Sequence, residues 1–303
     1  MAGWYGPQVP ACAGLRRRIP AMPEPAPGTR LAARLRAAAP VCVGLDPVIE
    51  RLPGAIDAAR PVAAIESFSR HVLDAVAHAV PCIKVQSACF ERYGAEGVAA
   101  LERVIRSSVD AGFETILDAK RGDIGISAAH YAAAAVATGA RWITLNGYLG
   151  EDGVRPFLEA GLGVFVLVRT SNPSGDEIQS PACGDGTVAT LVARMVDRLG
   201  GEVADGDLAS AGAVVGATKP EAAADLRAAM PHAPFLLPGY GAQGGGADGV
   251  RAALDERGGG VVVTASRSII HAWVDTPGSW TDAVSDAARA MADEIGGLVT
   301  GVA

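Results

Sequence analysis

Aromatic side chains are scarce in this chain, 5% of 303 residues, and charged ones reach only 19%. The shortage of aromatics disfavours an aromatic-rich β-sandwich. Half the residues are apolar, which excludes intrinsic disorder. Cysteine occurs five times (Cys12, Cys42, Cys82, Cys89, Cys183), an odd number without any CxxC spacing. Neither a disulfide framework nor a zinc site is signalled, and the thiols read as small hydrophobes of a reducing cytoplasm. Basic residues are outnumbered: 26 Lys and Arg against 33 Asp and Glu leave a net charge of −7. Such a chain is a poor nucleic-acid binder, because that affinity rests on neutralising phosphates. A handful of placed cations can still hold a small anion. The uncharged stretch from Ile124 to Ala140 carries Ser, His, Tyr, Thr and Gly, too polar to span a bilayer. Arg16-Arg17-Arg18 is followed by IPAMPEPAPGTR, which has no apolar run of a secretory signal. The expectation is a soluble cytoplasmic protein with no membrane or nucleic-acid partner.

What is present is alternation. Residues 1–28 are Pro- and Gly-rich without periodicity and read as a loose N-terminal extension, leaving 29–303 as one domain. Short apolar runs follow at 41–45, 82–86, 115–119, 142–146, 163–169, 212–217, 234–239 and 260–265. Between them lie Ala- and Leu-rich segments with helical spacing, for instance 66–79, 95–110, 126–139, 187–199, 220–229 and 280–296. Eight strands alternating with helices over about 250 residues are the signature of a (β/α)8 TIM barrel. A doubly wound dinucleotide fold would carry G-x-G-x-x-G after its first strand, and none is there.

A barrel builds its site from the C-terminal ends of its strands. Polar residues gather at those ends: Asp46, Lys84, Asp118 with Lys120, Asn146, Thr170 with Ser171, Thr218 and Arg267. The densest group is Asp118-Ala119-Lys120-Arg121-Gly122-Asp123. Asp118 and Lys120 stand two apart on one strand, so both side chains point into the mouth. An isolated pair of this kind reads equally well as a structural ion pair, with Asp123 capping the next helix. Lys84 on the neighbouring strand tips the balance, since two lysines and two aspartates can then alternate and keep both ammoniums protonated. At the other edge the loop Pro238-Gly239-Tyr240-Gly241-Ala242-Gln243-Gly244 follows the seventh strand and Ser266-Arg267 the eighth. Barrels bind phosphate there, with glycines admitting the backbone and an arginine gripping the oxygens.

These motifs together resemble the orotidine 5'-phosphate decarboxylase family, in particular its longer bacterial subgroup (type 2). The resemblance runs from about 29 to 295 and includes Val43-Gly44-Leu45-Asp46-Pro47, Lys84-Val85-Gln86-Ser87, Asp118 to Gly125, Thr170-Ser171-Asn172-Pro173 and Pro238 to Gly244. Departures are mild: Val85 and Gly147 stand where Pro is usual, Cys89 where an aromatic is common, and Ser127 replaces a Thr. The resemblance implies decarboxylation of orotidine 5'-phosphate to uridine 5'-phosphate, the final step of de novo UMP synthesis, without cofactor or metal. It implies Lys84, Asp118, Lys120 and Asp123 as the catalytic array, with Lys120 as proton donor to C6. It further implies Asp46, Ser127, Asn146, Thr170, Ser171, Pro238, Gly239, Gly241, Gln243 and Arg267 as substrate-binding, and a homodimer whose Asp123 and Ser127 cross into the partner's site.

Two other readings make different demands. Related barrels acting on sugar phosphates use Mg2+ held by a Glu after the second strand, and Glu91 lies several residues beyond Lys84. A non-catalytic sensor on the same barrel would lack Lys120 or Asp118. The segment 172–186 is long, polar and punctuated by Gly and Pro, which suits a lid and, nearly as well, a plain surface loop.

Overall fold

The computed structural model describes residues 24–204, 207–241 and 244–300. Eight parallel strands close into a barrel: β1 (Val41–Leu45), β2 (Cys82–Gln86), β3 (Glu114–Arg121), β4 (Trp142–Asn146), β5 (Gly163–Arg169), β6 (Ala211–Val215), β7 (Phe235–Pro238) and β8 (Val261–Ala265). Each strand pairs with its sequence neighbours, and β1 closes on β8 through Val41 opposite Val263. The expected TIM barrel is therefore the observed one. Strands in such a sheet are covered on both faces and read as nearly continuous apolar runs, as VCVGL and VVVTA do.

The lower barrel is filled by Cys42, Cys82, Ile116, Trp142, Phe165, Val214, Leu236 and Val262. Trp142 stacks on Phe165 at 4.7 Å. Glycine is obligatory beside them, because a Cβ at Gly163 would lie 2.4 Å from the Trp142 ring. The floor is helix α1 (Pro27–Ala37), whose Leu31 and Ala32 enter this cluster. Arg30 Nε donates to the buried Glu114 at 2.8 Å, and Trp142 Nε1 donates to its other oxygen at 3.1 Å.

The boundary expected at residue 28 falls inside this floor. Glu24 pairs with Arg141 at 2.6 Å, and Gly28 N donates to Ser210 Oγ. The sequence around Pro25, Pro27 and Gly28 looks like a linker, yet Pro is well suited to the first turn of a helix. Residues 1–23 and Cys12 lie outside the described residues.

The outer helices fall where the spacing puts them, α2 (Pro61–Val76) starting five residues early and the C-terminal helix running Trp280–Thr300. The segment after β5 is not a bare loop. It holds a helical turn, Asp176–Gln179, and a small hairpin pairing Ala182–Cys183 with Gly186–Thr187. Among the described residues no helix is long and apolar enough to cross a membrane.

Candidate active site

At the C-terminal mouth a cavity of about 460 Å3 opens among the loops, a size ordinary for small-molecule sites. Its charged edge comes from β1 to β3. Lys84 Nζ lies 2.7 Å from Asp118 Oδ2 and 3.6 Å from Asp46 Oδ1. Lys120 Nζ meets Asp118 Oδ1 at 2.5 Å. Asp118 takes two further donors, Gln86 Nε2 at 3.2 Å and Thr144 Oγ1 at 2.8 Å. Both Lys84 and Asp118 are buried, while the Lys120 side chain remains 45% exposed at the cavity.

Burial alone would push the Lys84 ammonium towards neutrality, but Asp46 and Asp118 outweigh it and hold it above the ordinary lysine range. Burial likewise opposes ionisation of Asp118, and Lys84 and Lys120 overcome it, holding the carboxyl well below the usual range. Lys84 and Asp118 thus keep their charges in spite of burial.

β3 reaches this arrangement by an irregularity. Against β4 its pairing advances from Leu117–Ile143 to Arg121–Leu145, four residues against two. Inside the bulge Lys120 adopts a left-handed backbone, φ +47°, alone among the described non-glycine residues. That conformation costs about 1–3 kcal/mol and persists only where its surroundings enforce it.

The opposite edge is built by the loops after β7 and β8. Gly239, Gly241 and Gly244 all have positive φ, which only glycine adopts freely. The loop folds on itself, Gly241 N donating to Gly245 O and Gly245 N to Gly239 O. Tyr240 lines the cavity and anchors this loop, its hydroxyl donating to Glu294 Oε1 at 2.6 Å on the C-terminal helix. After β8, Ser266 sits against Gly44, where a Cβ would approach its Oγ to 2.0 Å. Arg267 follows at the cavity wall and, among the described residues, has no ion pair. Behind it, burial and the charge of Arg51, with a smaller push from Arg267, lower the His271 imidazole against the pull of Asp46.

Of the residues singled out from sequence, Asp46, Lys84, Asp118, Lys120, Thr170, Ser171, Pro238, Gly239 and Arg267 line the one cavity. Gln243 lies outside the described residues. Gly241 shapes its loop rather than facing the cavity. Asn146 turns away, because the chain enters a 3-10 turn at Gly147 and Asn146 Oδ1 accepts from Tyr148 N at 3.0 Å. Asp123 and Ser127 stand off the cavity on the rim. Asp123 Oδ1 accepts from Ile124 N, and the helix Gly125–Thr138 begins without any side-chain cap, so helix capping does not account for Asp123. Sequence reasoning missed Gln86 and Thr144 as partners of Asp118. Both keep the strand alternation of Lys84 and Trp142, which was the available signal.

A buried charge chain at one edge of a barrel mouth, facing an arginine and a glycine-shaped loop across one cavity, is the arrangement of a (β/α)8-barrel enzyme. Residues 39–276 match the model of the orotidine 5'-phosphate decarboxylase / HUMPS family, and the chain belongs to that family. The chain is 41% identical over 293 residues to orotidine 5'-phosphate decarboxylase of Rhodopirellula baltica, covering 88% of this chain and 97% of that one. It is 39% identical over 265 residues to the enzyme of the same name from Deinococcus radiodurans, with 86% and 92% covered. Among solved structures, Leishmania donovani OMP decarboxylase superposes with a TM-score of 0.76 at 32% identity, covering 91% of this chain and 99% of that one.

Proposed function

We propose that the protein decarboxylates orotidine 5'-phosphate to uridine 5'-phosphate and CO2, closing de novo UMP synthesis in the cytoplasm, with Lys120 as proton donor and no cofactor. The observation carrying this reading is the Lys84–Asp118–Lys120 chain facing Arg267 across one cavity. The phosphate binds at Arg267 and the β7 loop, which sets the pyrimidine over Lys120. The bond from C6 to the carboxylate breaks, its electron pair stays on C6, and CO2 departs. The Lys120 ammonium stabilises that charge and gives it a proton. Asp118, held ionised, repels the substrate carboxylate, and remote phosphate binding holds the substrate against that repulsion. Asp46 Oδ1, buried with no hydrogen-bond partner among the described residues, is an acceptor for a ribose hydroxyl.

The sites are shared in a homodimer. Asp123 and Ser127 stand on a rim with the exposed apolar residues Ile124, Ile126, Tyr148 and Leu149, Tyr148 being 80% exposed. Patches of this kind on a soluble surface mark interfaces. The segment 172–186 acts as a lid beside the cavity, where Asp176 pairs with Arg169 at 2.7 Å and Gln179 bonds Thr170.

The sugar-phosphate reading asks for an acidic metal ligand after β2. Glu91 is instead engaged by Arg121, which favours the decarboxylase. Purified protein incubated with orotidine 5'-phosphate and EDTA tests the reading. Loss of the substrate absorbance at an undiminished rate is the expected result, and no loss, or loss only on adding Mg2+, would sink it.

A further inference from the structure

We propose that Thr144 is a positioning residue of this reaction, its hydroxyl holding Lys120 in the left-handed conformation that aims the ammonium while fixing the carboxylate on which that ammonium leans. The inference rests on Lys120 being the proton donor. Thr144 lies inside the barrel on β4, 2% exposed, two residues above Trp142. A position in that layer calls for an apolar side chain, and a buried hydroxyl needs partners to be tolerated.

Its partners are the two residues of the proton-transfer pair. Lys120 N donates to Thr144 Oγ1 at 3.0 Å, and Thr144 Oγ1 stands 2.8 Å from Asp118 Oδ1. A backbone N–H can only donate and an ionised carboxylate can only accept, so the hydroxyl proton must point at Asp118. Lys120 is thereby gripped at both ends, its backbone by Thr144 and its Nζ by Asp118 Oδ1.

The bulge explains why a side chain is needed. Between Leu117 and Arg121 the ladder to β4 is broken, and the Lys120 N–H is bound by a hydroxyl instead of a strand carbonyl. Without that acceptor the strained φ of Lys120 loses what enforces it.

The test compares Thr144→Val, Thr144→Ala and Thr144→Ser with the parent and with Lys120→Ala, all as full chains, by kcat and KM for orotidine 5'-phosphate, UMP affinity and thermal melting. Val and Ala should lower kcat by more than about tenfold while KM and UMP affinity stay within about threefold, the split expected when only transition-state alignment is lost. Ser, which restores the hydroxyl, should recover the parental kcat to within about threefold, since both hydrogen bonds reform. A smaller loss in Val, a parallel loss of UMP affinity, or a Ser variant as slow as Val would overturn the proposal. Failure of both Val and Ala to fold would also overturn it, assigning the hydroxyl to stability. An active Lys120→Ala enzyme would remove the underlying reading instead, and is distinguishable because it is scored independently of Thr144.

Discussion

The two edges of the barrel mouth treat charge in opposite ways. At the β1–β3 edge Lys84 and Lys120 both hydrogen-bond the buried Asp118, and Asp46 stands 3.6 Å from the buried Lys84. At the β7–β8 edge Arg267 has no ion pair among the described residues, and the loop beside it is shaped by glycines rather than held by charges. The charges of the first edge are held largely by one another; those of the second are left facing the cavity. Substitutions at the first edge should therefore cost stability as well as chemistry, because a buried charge stripped of its partner is expensive. Substitutions at the second should cost binding and leave the fold alone.

Lys120 is the instructive exception, a member of the first edge that faces the cavity. Lys120→Ala should reduce kcat by more than about 10⁴-fold, since both the proton and the facing charge are lost. Its stability should change by less than about 1 kcal/mol, as for other half-exposed charges. Steady-state kinetics and urea unfolding measure both, and residual activity within tenfold of the parent would dismiss Lys120 as the acid. Asp123→Ala should be equally inactive, and mixing the two variants sharpens the comparison. In a heterodimer with shared sites one site collects both lesions and the other none. Re-equilibrated mixtures should then recover about a quarter of parental activity, the statistical share of intact sites in a two-fold dimer. Mixtures that stay dead would confine Asp123 to its own chain.

Asp118→Asn tests the buried pair. It should destabilise the protein by about 3–5 kcal/mol at neutral pH, the usual cost of removing one partner of a buried ion pair. Because Lys84 and Lys120 overcome burial and depress the Asp118 carboxyl, its contribution is complete above the unfolded value of about 3.9. It is lost as pH falls from there towards the folded value. The gap in unfolding free energy between parent and variant should thus narrow steadily below about pH 4. A gap independent of pH would mean that packing, not charge, sets it.

The same contrast explains what was legible in the sequence. All eight strands begin and end within two residues of their apolar runs, because parallel barrel strands are apolar throughout. Lys84 and Asp118 were legible because a charge inside such a run must be paired or put to use, burial being too costly for an idle one. The bulge in β3 was not: Asp118-Ala119-Lys120-Arg121 carries no glycine to announce a positive φ, and tertiary bonds from Thr144 enforce it. Thr144 itself hides as an ordinary β-former in Trp142–Asn146. Asn146 misleads in the other direction, since strand alternation points it inward and the turn at Gly147 takes it out. Helix Ala247–Ala253 was hidden behind the glycine run 244–246.

At the second edge, Arg267→Ala should lower kcat/KM for orotidine 5'-phosphate by about 10²-fold, the worth of a charge-assisted contact to phosphate. Turnover of the dephosphorylated nucleoside and the melting temperature should stay close to parental. An equal loss on both substrates would make Arg267 a structural residue and erase the contrast between the edges.

The smallest effect belongs to Tyr240, which ties the glycine loop to the C-terminal helix. Its hydroxyl donates to Glu294, and burial together with that carboxylate pushes the phenol up from 10.0 to about 12. The phenol is therefore a neutral donor at any working pH, and it holds the loop against the C-terminal helix. Tyr240→Phe keeps the ring in the cavity wall but drops the hydrogen bond, worth about 1 kcal/mol for a typical pair and somewhat more to a charged one. KM should rise about threefold as the loosened loop loses more ordering entropy on binding phosphate, with kcat unchanged. The raised phenol value fixes the pH window. A group whose folded pKa is raised stabilises the fold fully below its unfolded value and ceases to as pH climbs through the folded one. The parent's advantage over Tyr240→Phe should persist to about pH 10 and fade towards about 12. Unfolding curves at pH 8 and pH 11 measure it, and an advantage that grows with pH would show that Glu294 is not the group Tyr240 serves.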